Sequence, residues 1–99
     1  MTYRLFVESA AKAYIAAAKE WYEAQRPGLE LEFRDELDSV FRRIESNPLE
    51  IAMAYRDVRQ VAVKLFPYVI SFVYRDNRVL VIAVLHGRRE DTNRKSRIV

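Results

Sequence analysis

Residues 68–86, YVISFVYRDNRVLVIAVLH, decide the fold of this 99-residue chain. The stretch is rich in valine, isoleucine and aromatic residues, which favour β-strands. Asp76-Asn77 divides it in two, and such a pair is typical of a two-residue hairpin turn. A regular ladder from that turn predicts that Pro67 lies opposite His86. The stretch therefore predicts a β-hairpin that ends at the single histidine of the chain.

The same regular ladder assigns each side chain of the hairpin to one face of the sheet, because side chains alternate along a strand. One predicted face carries Tyr68, Ile70, Phe72, Tyr74, Val79, Val81, Ala83 and Leu85. The other carries Val69, Ser71, Val73, Leu80, Ile82, Val84 and His86. Both sets are apolar enough to be covered, although only one needs to face the rest of the domain.

Two helices are predicted before the hairpin. Ser9 is a candidate N-cap for an alanine-rich first helix, which the sequence RPG at 26–28 ends. The second helix has the clearest helical spacing of apolar residues in the chain and ends at Asn47-Pro48. Its predicted core stripe is Phe33, Leu37, Val40, Phe41 and Ile44. The short connector predicts an antiparallel helical hairpin.

Two further strands complete the predicted order. A short strand opens the chain near residues 3–7, and VRQVAVKLF at 58–66 forms a strand before the hairpin, while residues 47–57 are predicted to be a loop. The order is β-α-α-β-β-β. It predicts an α+β fold in which the helical hairpin packs on a mainly antiparallel four-stranded sheet, with residues 1–99 as a single domain.

The positive charge of the chain is concentrated at its C-terminus. Residues 1–85 contain 12 Lys+Arg and 12 Asp+Glu, whereas residues 86–99 contain five against two, which accounts for the net charge of +3. The basic tail begins at about residue 88 and favours acidic partners, either nucleic acid or an acidic protein. A solvated tail without a partner is the alternative.

Several classes of function lack their usual signatures. The chain has no cysteine, no glycine-rich phosphate loop, no nucleophile elbow and no helical histidine pair. We therefore expect no metal and no cofactor. No stretch is long and apolar enough to span a membrane. These features predict a protein of the cytoplasm without membrane contact.

RNA cleavage is the chemistry that the residues allow. His86 could act as the acid or the base, because imidazole titrates near neutral pH. Cations around the phosphorane could come from Arg59, Lys64, Arg88 and Arg89. With Pro67 opposite His86, however, the neighbouring strand offers no second proton-transfer group. A structural role for His86 at the end of an apolar strand is the alternative.

The order of elements and the end of the chain resemble the RelE/ParE superfamily of toxins from type II toxin-antitoxin systems, and most closely the ParE toxins associated with plasmid stabilisation. The resemblance rests on an aromatic-proline-tyrosine entry to a strand, a tight turn, an apolar strand and a histidine-arginine exit. In this chain these are Phe66-Pro67-Tyr68, Asp76-Asn77, residues 79–85 and His86-Gly87-Arg88-Arg89.

This resemblance implies two alternative activities. Ribosome-dependent mRNA endoribonucleases similar to RelE carry an arginine after the strand tyrosine and a further tyrosine beyond the exit arginine. Here Val69 follows Tyr68, and no tyrosine follows Arg89. The resemblance therefore favours a ParE-like inhibitor that binds DNA gyrase, with Arg59, Lys64, Arg88 and Arg89 as target-binding residues. An acidic antitoxin is the alternative partner of these four residues. The alternatives are an endoribonuclease acting on ribosome-bound mRNA through His86, Arg89 and Lys64, or a non-toxic member of the fold.

The resemblance also implies a cognate antitoxin similar to ParD. The bulky aromatic residues of the alanine-rich first helix are its candidate anchors, namely Tyr14, Trp21 and Tyr22. A core position is the alternative for Trp21, because a helix made mostly of alanine needs a large residue to pack. The same alternative holds for Tyr14.

Overall fold

The computed structural model describes residues 3–87, so the predicted basic tail, including Arg88 and Arg89, lies outside the described residues. The helices are α1 (Ser9–Gln25) and α2 (Leu29–Ser46), followed by a 3₁₀ turn at Pro48–Glu50. The strands are β1 (Arg4–Val7), β2 (Met53–Tyr55), β3 (Val58–Ala62), β4 (Tyr68–Arg75) and β5 (Arg78–His86). They form one sheet in the order β1-β5-β4-β3-β2.

The α+β class and the helical hairpin packed on a mainly antiparallel sheet are confirmed. The strand count is wrong by one, since the sheet has five strands rather than four. The additional strand is β2, which pairs antiparallel with β3 inside the segment predicted to be a loop. Its side chains are all exposed, so it carries no alternation of buried and exposed residues that could predict it. β1 pairs parallel with β5.

The helix boundaries follow the local sequence closely. Ser9 is the first residue of α1 rather than its N-cap, a position that Glu8 occupies in extended conformation. The predicted break at 26–28 is confirmed, and Gly28 has a φ of 100°, a left-handed conformation that glycine adopts without steric cost. α2 ends at Ser46, directly before the Asn47-Pro48 pair.

The core lies between the helical hairpin and one face of the sheet. The apolar stripe of α2 provides much of it, because Phe33, Leu37, Val40 and Ile44 are all buried. The sheet contributes the fully buried residues Ile70, Phe72, Val79, Val81 and Val84. Phe41 of the predicted stripe packs at the margin of this core, where it is partly buried.

The β4–β5 hairpin has the predicted turn but an unpredicted register beyond its middle. Asp76 and Asn77 have φ angles of 55° and 62°, as a type I′ turn requires. Pairing is regular from this turn to Phe72 opposite Val81, after which Ala83 is the next paired residue of β5. The residue between them, Ile82, is therefore the extra residue of a β-bulge.

The bulge corrects the predicted faces of the last part of β5. Tyr68, not Pro67, lies opposite His86, so the predicted pairing is wrong there. Because one extra residue exchanges the two faces, Val84 and His86 lie on the side of the helices. Val84 is 0% exposed, whereas the regular ladder assigned it to the other face. Leu85, which the regular ladder assigned to the face of Tyr68 and Ile70, instead lies on the opposite face and pairs with Val69.

Candidate functional site

A groove opens between α1 and the adjoining ends of β4 and β5. It has a volume of about 760 Å³ and is lined by Tyr14, Ala17, Ala18, Trp21, Tyr22, Pro67, Tyr68 and His86. The helical spacing of the α1 residues places them on one side of that helix. The β-bulge in β5 supplies the histidine of the opposite wall. The groove is therefore a product of the helix pattern and the sheet register together.

The α1 wall contains all three residues predicted to contact an antitoxin. Trp21 is 58% exposed, which argues against the core position considered for it. Tyr22 is 7% exposed and belongs to the core cluster, and its ring meets that of Trp21 at 5.1 Å in an edge-to-face arrangement. Tyr14 is partly buried and lies edge-to-face with Tyr68 at 6.3 Å. Of the three, Trp21 presents the most surface to a partner.

Two of the residues that line the groove, Tyr22 and Tyr68, belong to a cluster of aromatic rings in mutual contact, and we call this cluster the floor of the groove. Phe33 of α2 lies 5.1 Å from Tyr22, 5.2 Å from Phe66 and 5.0 Å from Tyr68, measured between ring centroids. Tyr22 also contacts Phe66 and Tyr68. Such offset and edge-to-face pairs add to the energy of burial. The floor is therefore a packed part of the core, which fixes the shape of the groove above it.

His86 is positioned by its strand and by its neighbour in the chain. Its ring centroid lies 5.2 Å from that of Tyr68, with the two planes at 80°. The backbone N–H of Gly87 donates to the carbonyl of Pro67 at 2.6 Å, which closes the end of the hairpin. The expectation that the neighbouring strand offers no proton-transfer group near His86 is therefore wrong. The bulge brings a tyrosine, rather than a proline, to that position.

Lys64 lies in the loop between β3 and β4, where its side chain is exposed. This loop joins β4 at Tyr68, so the lysine and the groove are at the same end of the sheet. The next residue, Leu65, has a φ of 68° and is 83% exposed. Both features are unfavourable for a leucine, because the left-handed backbone conformation is strained for a residue with a side chain and because the apolar side chain is exposed to water.

Arg59 is not brought to the groove. It lies on β3 opposite Phe72, four residues along β4 from Tyr68, which is roughly 13 Å at the usual rise of a strand. Its guanidinium donates hydrogen bonds to the backbone carbonyls of Leu49 and Ile51. These bonds attach the segment after α2 to the sheet. The guanidinium of Arg59 therefore has a structural role and is not presented to a partner.

A different charged cluster lies at the turn end of the β4–β5 hairpin. Arg75 donates to the carboxylate of Asp57 at 2.7 Å, and this bond is the main reason that the pKa of Asp57 lies below its usual range. The same bond raises the pKa of Arg75. Both side chains are well exposed, so solvent screens their attraction.

The described part of the chain shows no group of three or more His, Cys, Asp or Glu residues that could hold a metal ion. Within the same range, neither helix is long and apolar enough to cross a membrane.

Sequence reasoning identified six of the eight groove residues, four of them as functional candidates and a further two, Pro67 and Tyr68, as part of the family motif, but it missed the role of the two alanines. Ala17 and Ala18 leave room for the groove because alanine has no side chain beyond Cβ. The helical spacing of Ala17 with Trp21 was the available signal. Nothing in the sequence marked Ile82 as an extra residue, so the approach of His86 to this wall could not be predicted.

Comparisons with known proteins identify the family of this chain through a family model and its fold through a solved structure. A family model described as the ParE toxin of the type II toxin-antitoxin system parDE matches residues 5–91. Among solved structures, a chain of the chromosomal ParDE toxin-antitoxin system from P. aeruginosa superposes with a TM-score of 0.76. The superposition covers 86% of this chain and 96% of that one at 13% identity, so it shows a shared fold. No curated protein sequence gives a significant match.

Proposed function

We propose that this chain, which belongs to the ParE toxin family of type II toxin-antitoxin systems, inhibits DNA gyrase by binding to it and is neutralised by a small antitoxin protein. In this proposal the groove beside α1 is the antitoxin site. The observation that carries the second part is the 58% exposure of Trp21 at the rim of an aromatic groove.

The groove has the properties of an interface anchor site. Large aromatic side chains in or beside a well-packed pocket contribute much of the binding energy of protein interfaces. Trp21 is exposed above a floor of buried rings, so a partner covering it would remove apolar surface from water without reorganising the core. An antitoxin segment that places an apolar side chain beside Trp21 would fit this arrangement.

The gyrase part of the proposal rests on family membership and on two absent residues. Val69 follows Tyr68 where RelE-like endoribonucleases are expected to carry an arginine, and no tyrosine follows Arg89. In the ParE reading the protein acts by binding, so no catalytic group is required of it.

The target is tested with purified protein in two parallel reactions. One measures supercoiling of relaxed plasmid by gyrase, and the other measures the integrity of mRNA in a translating extract. We expect loss of supercoiling together with cleaved plasmid, and intact mRNA. Normal supercoiling in the presence of excess toxin, with or without cut mRNA, would contradict gyrase as the target.

The antitoxin site is tested by co-expression with a candidate antitoxin, sought among short reading frames next to the gene of this chain, and by titration of the purified pair. Trp21→Ala should weaken the complex roughly thirtyfold or more, as is typical of a buried aromatic anchor. Leu31→Ala is the matched control, because Leu31 is also an exposed apolar residue, on α2 and 47% exposed. Equal affinity of both variants for the antitoxin would exclude the groove.

A metal-independent ribonuclease is the second candidate, and the contact between His86 and Tyr68 favours it. A histidine and a tyrosine at this distance could divide the roles of base and acid. In that case His86→Ala should reduce mRNA cleavage by at least about a hundredfold, whereas a gyrase inhibitor should keep most of its activity. Circular dichroism of the variant establishes that it is folded.

A further inference from the structure

Three arginines form a row across adjacent strands at the turn end of the sheet, and we call Arg4, Arg78 and Arg75 the arginine row. Arg4 of β1 is the register partner of Arg78 of β5, which is in turn opposite Arg75 of β4. All three are exposed. Adjacent strands are about 4.8 Å apart, so the backbone positions of the three arginines lie on a line roughly 10 Å long.

The charges of the arginine row are poorly compensated. Like charges directly opposite each other on neighbouring strands destabilise a sheet. The side chain of Arg75 has Asp57 as an ion-pair partner, whereas the side chains of Arg4 and Arg78 form no hydrogen bond or ion pair with another residue in the range 3–87. The sequence thus places two unpaired guanidinium groups side by side where neutral residues would be more stable.

The arginine row lies on the face of the sheet that points away from the helices. Its neighbours on the strands, Val79 and Leu5, belong to the core side, so the arginines alternate to the opposite side. Phe6 is two residues after Arg4 on the same face and is 47% exposed. It pairs with Leu80, which is two residues after Arg78. An aromatic ring therefore lies directly beside the row.

We propose that the arginine row and Phe6 form a binding surface for single-stranded nucleic acid, with the guanidinium groups on consecutive phosphates and the phenyl ring under a base. Exposed aromatic rings beside a cationic line are the two elements of sequence-independent recognition of single strands. Guanidinium groups also bind phosphate in a bidentate manner, which lysine cannot do.

Nucleic acid fits this surface better than an acidic peptide does. The three guanidinium groups are on long side chains that start from a line roughly 10 Å long, so each can reach a phosphate of the same strand. A carboxylate-rich peptide would satisfy the arginines but would leave Phe6 without a flat partner. The proposal does not depend on gyrase as the target, because the surface lies at the opposite end of the hairpin from the groove and is tested without gyrase.

The test measures the binding of fluorescein-labelled dT12 and U12 to the purified full-length protein by anisotropy at several salt concentrations. The double variant Arg4→Gln/Arg78→Gln should bind at least tenfold more weakly than the unaltered protein. Its dependence of log K on log salt should be shallower by about 1.4, since each phosphate contact on a single strand contributes about 0.7. Phe6→Ala should weaken binding with an unchanged salt slope.

The matched control is Arg34→Gln/Arg42→Gln, which removes the same charge from exposed positions on α2. We expect the control to bind both oligonucleotides within twofold of the unaltered protein. If dT12 and U12 bind equally, the phosphodiester and the unpaired base are the shared ligand, and a preference identifies DNA or RNA. Equal loss in both double variants, tighter binding of poly-glutamate than of either oligonucleotide, or absence of binding would overturn the proposal.

A second measurement uses the unaltered protein, so it does not depend on the folding of a variant. Oligonucleotides carrying 5-iodouracil are crosslinked by light, and the attached peptides are identified by mass spectrometry. Attachment to Phe6 or to neighbouring residues of β1 and β5 supports the surface. Attachment confined to residues 88–99 would overturn it and would assign binding to the basic tail.

Discussion

The two ends of the β4–β5 hairpin differ in the chemistry of the surfaces that they present. At the end with Tyr68 and His86, aromatic rings are packed under α1 and form a groove. At the turn end, Arg75 and Arg78 face each other in water, and the carboxylates of Asp57 and Asp76 are near Arg75. One end is apolar and partly enclosed, whereas the other is cationic and open.

The β-bulge at Ile82 lies between these ends, and the assignment of side chains to the two faces of the sheet changes there. On the turn side, regular pairing from Asp76-Asn77 sends arginines to the open face, and beyond the bulge the faces are exchanged so that His86 meets the helices. The comparison teaches that one hairpin can present two unrelated surfaces when a single extra residue interrupts its alternation. Each surface can then be altered without the other.

The largest expected effect comes from breaking the floor of the groove. Phe33→Ala removes a ring that is 0% exposed and contacts three other rings, and it should lower the free energy of unfolding by roughly 3–5 kcal/mol. Phe6→Ala is the control at the open face and should cost less than about 1 kcal/mol. Urea unfolding, followed by the fluorescence of Trp21, measures both. Similar losses would contradict the difference between the two ends.

Deletion of Ile82 should have a smaller effect, because it removes the extra residue while leaving the partners of Ala83 and His86 in place. We expect a folded protein with a regular ladder, less stable by about 1–2 kcal/mol through the loss of one partly buried side chain. The emission maximum of Trp21 should stay unchanged if the groove is preserved. A strong shift of that maximum would show that the bulge itself, and not the register beyond it, shapes the groove.

Relief of the like-charge pair at the turn end should be smaller again and of opposite sign. Arg78→Gln removes the cation directly opposite Arg75, so it should raise the free energy of unfolding by a few tenths of a kcal/mol, up to about 1 kcal/mol. The gain should decrease at high salt, since screening weakens the repulsion in the unaltered protein. Destabilisation at low salt would indicate that Arg78 has a structural role.

The smallest effect concerns the ion pair between Asp57 and Arg75. Because the bond lowers the pKa of Asp57 below 3.8 in the folded chain, the carboxylate stabilises the fold above that value. Its contribution is lost as the pH falls through the folded pKa. Thermal unfolding of the unaltered protein and of Asp57→Asn should therefore differ slightly at neutral pH and converge once the pH is below the folded pKa of Asp57. A difference that persists in acid would need another cause.

Much of the fold follows from residue patterns that the structure confirms. The stripe of α2, the break at 26–28 and the turn at Asp76-Asn77 each rest on one strong local preference. β2 was missed because its three residues are all exposed and follow no period. The groove was half predicted, since the exposed Trp21 lies on it, but its histidine wall depends on a bulge that no local preference marks.

The two basic residues predicted to bind the target before the C-terminal tail, Arg59 and Lys64, lie in different environments, which the sequence pattern could not distinguish. Lys64 lies beside the end of the sheet that holds the groove, whereas Arg59 is committed to backbone carbonyls of the segment after α2. Charge counting treats the two residues alike. The arginine row could not be predicted as a whole, because Arg4 is far in sequence from Arg75 and Arg78 and becomes their neighbour through a parallel pairing of β1 with β5.

The bulge also affects how this chain can be compared with its relatives. Counting residues from the turn does not match positions correctly beyond Ile82. In a relative without the bulge, the residue opposite the same β4 position is one residue closer to the turn. Counting from the partner strand avoids the ambiguity, since Tyr68 identifies the position of His86 whatever the length of β5. For a relative without the bulge, an alignment that places no gap at Ile82 would assign the wrong residue to the groove.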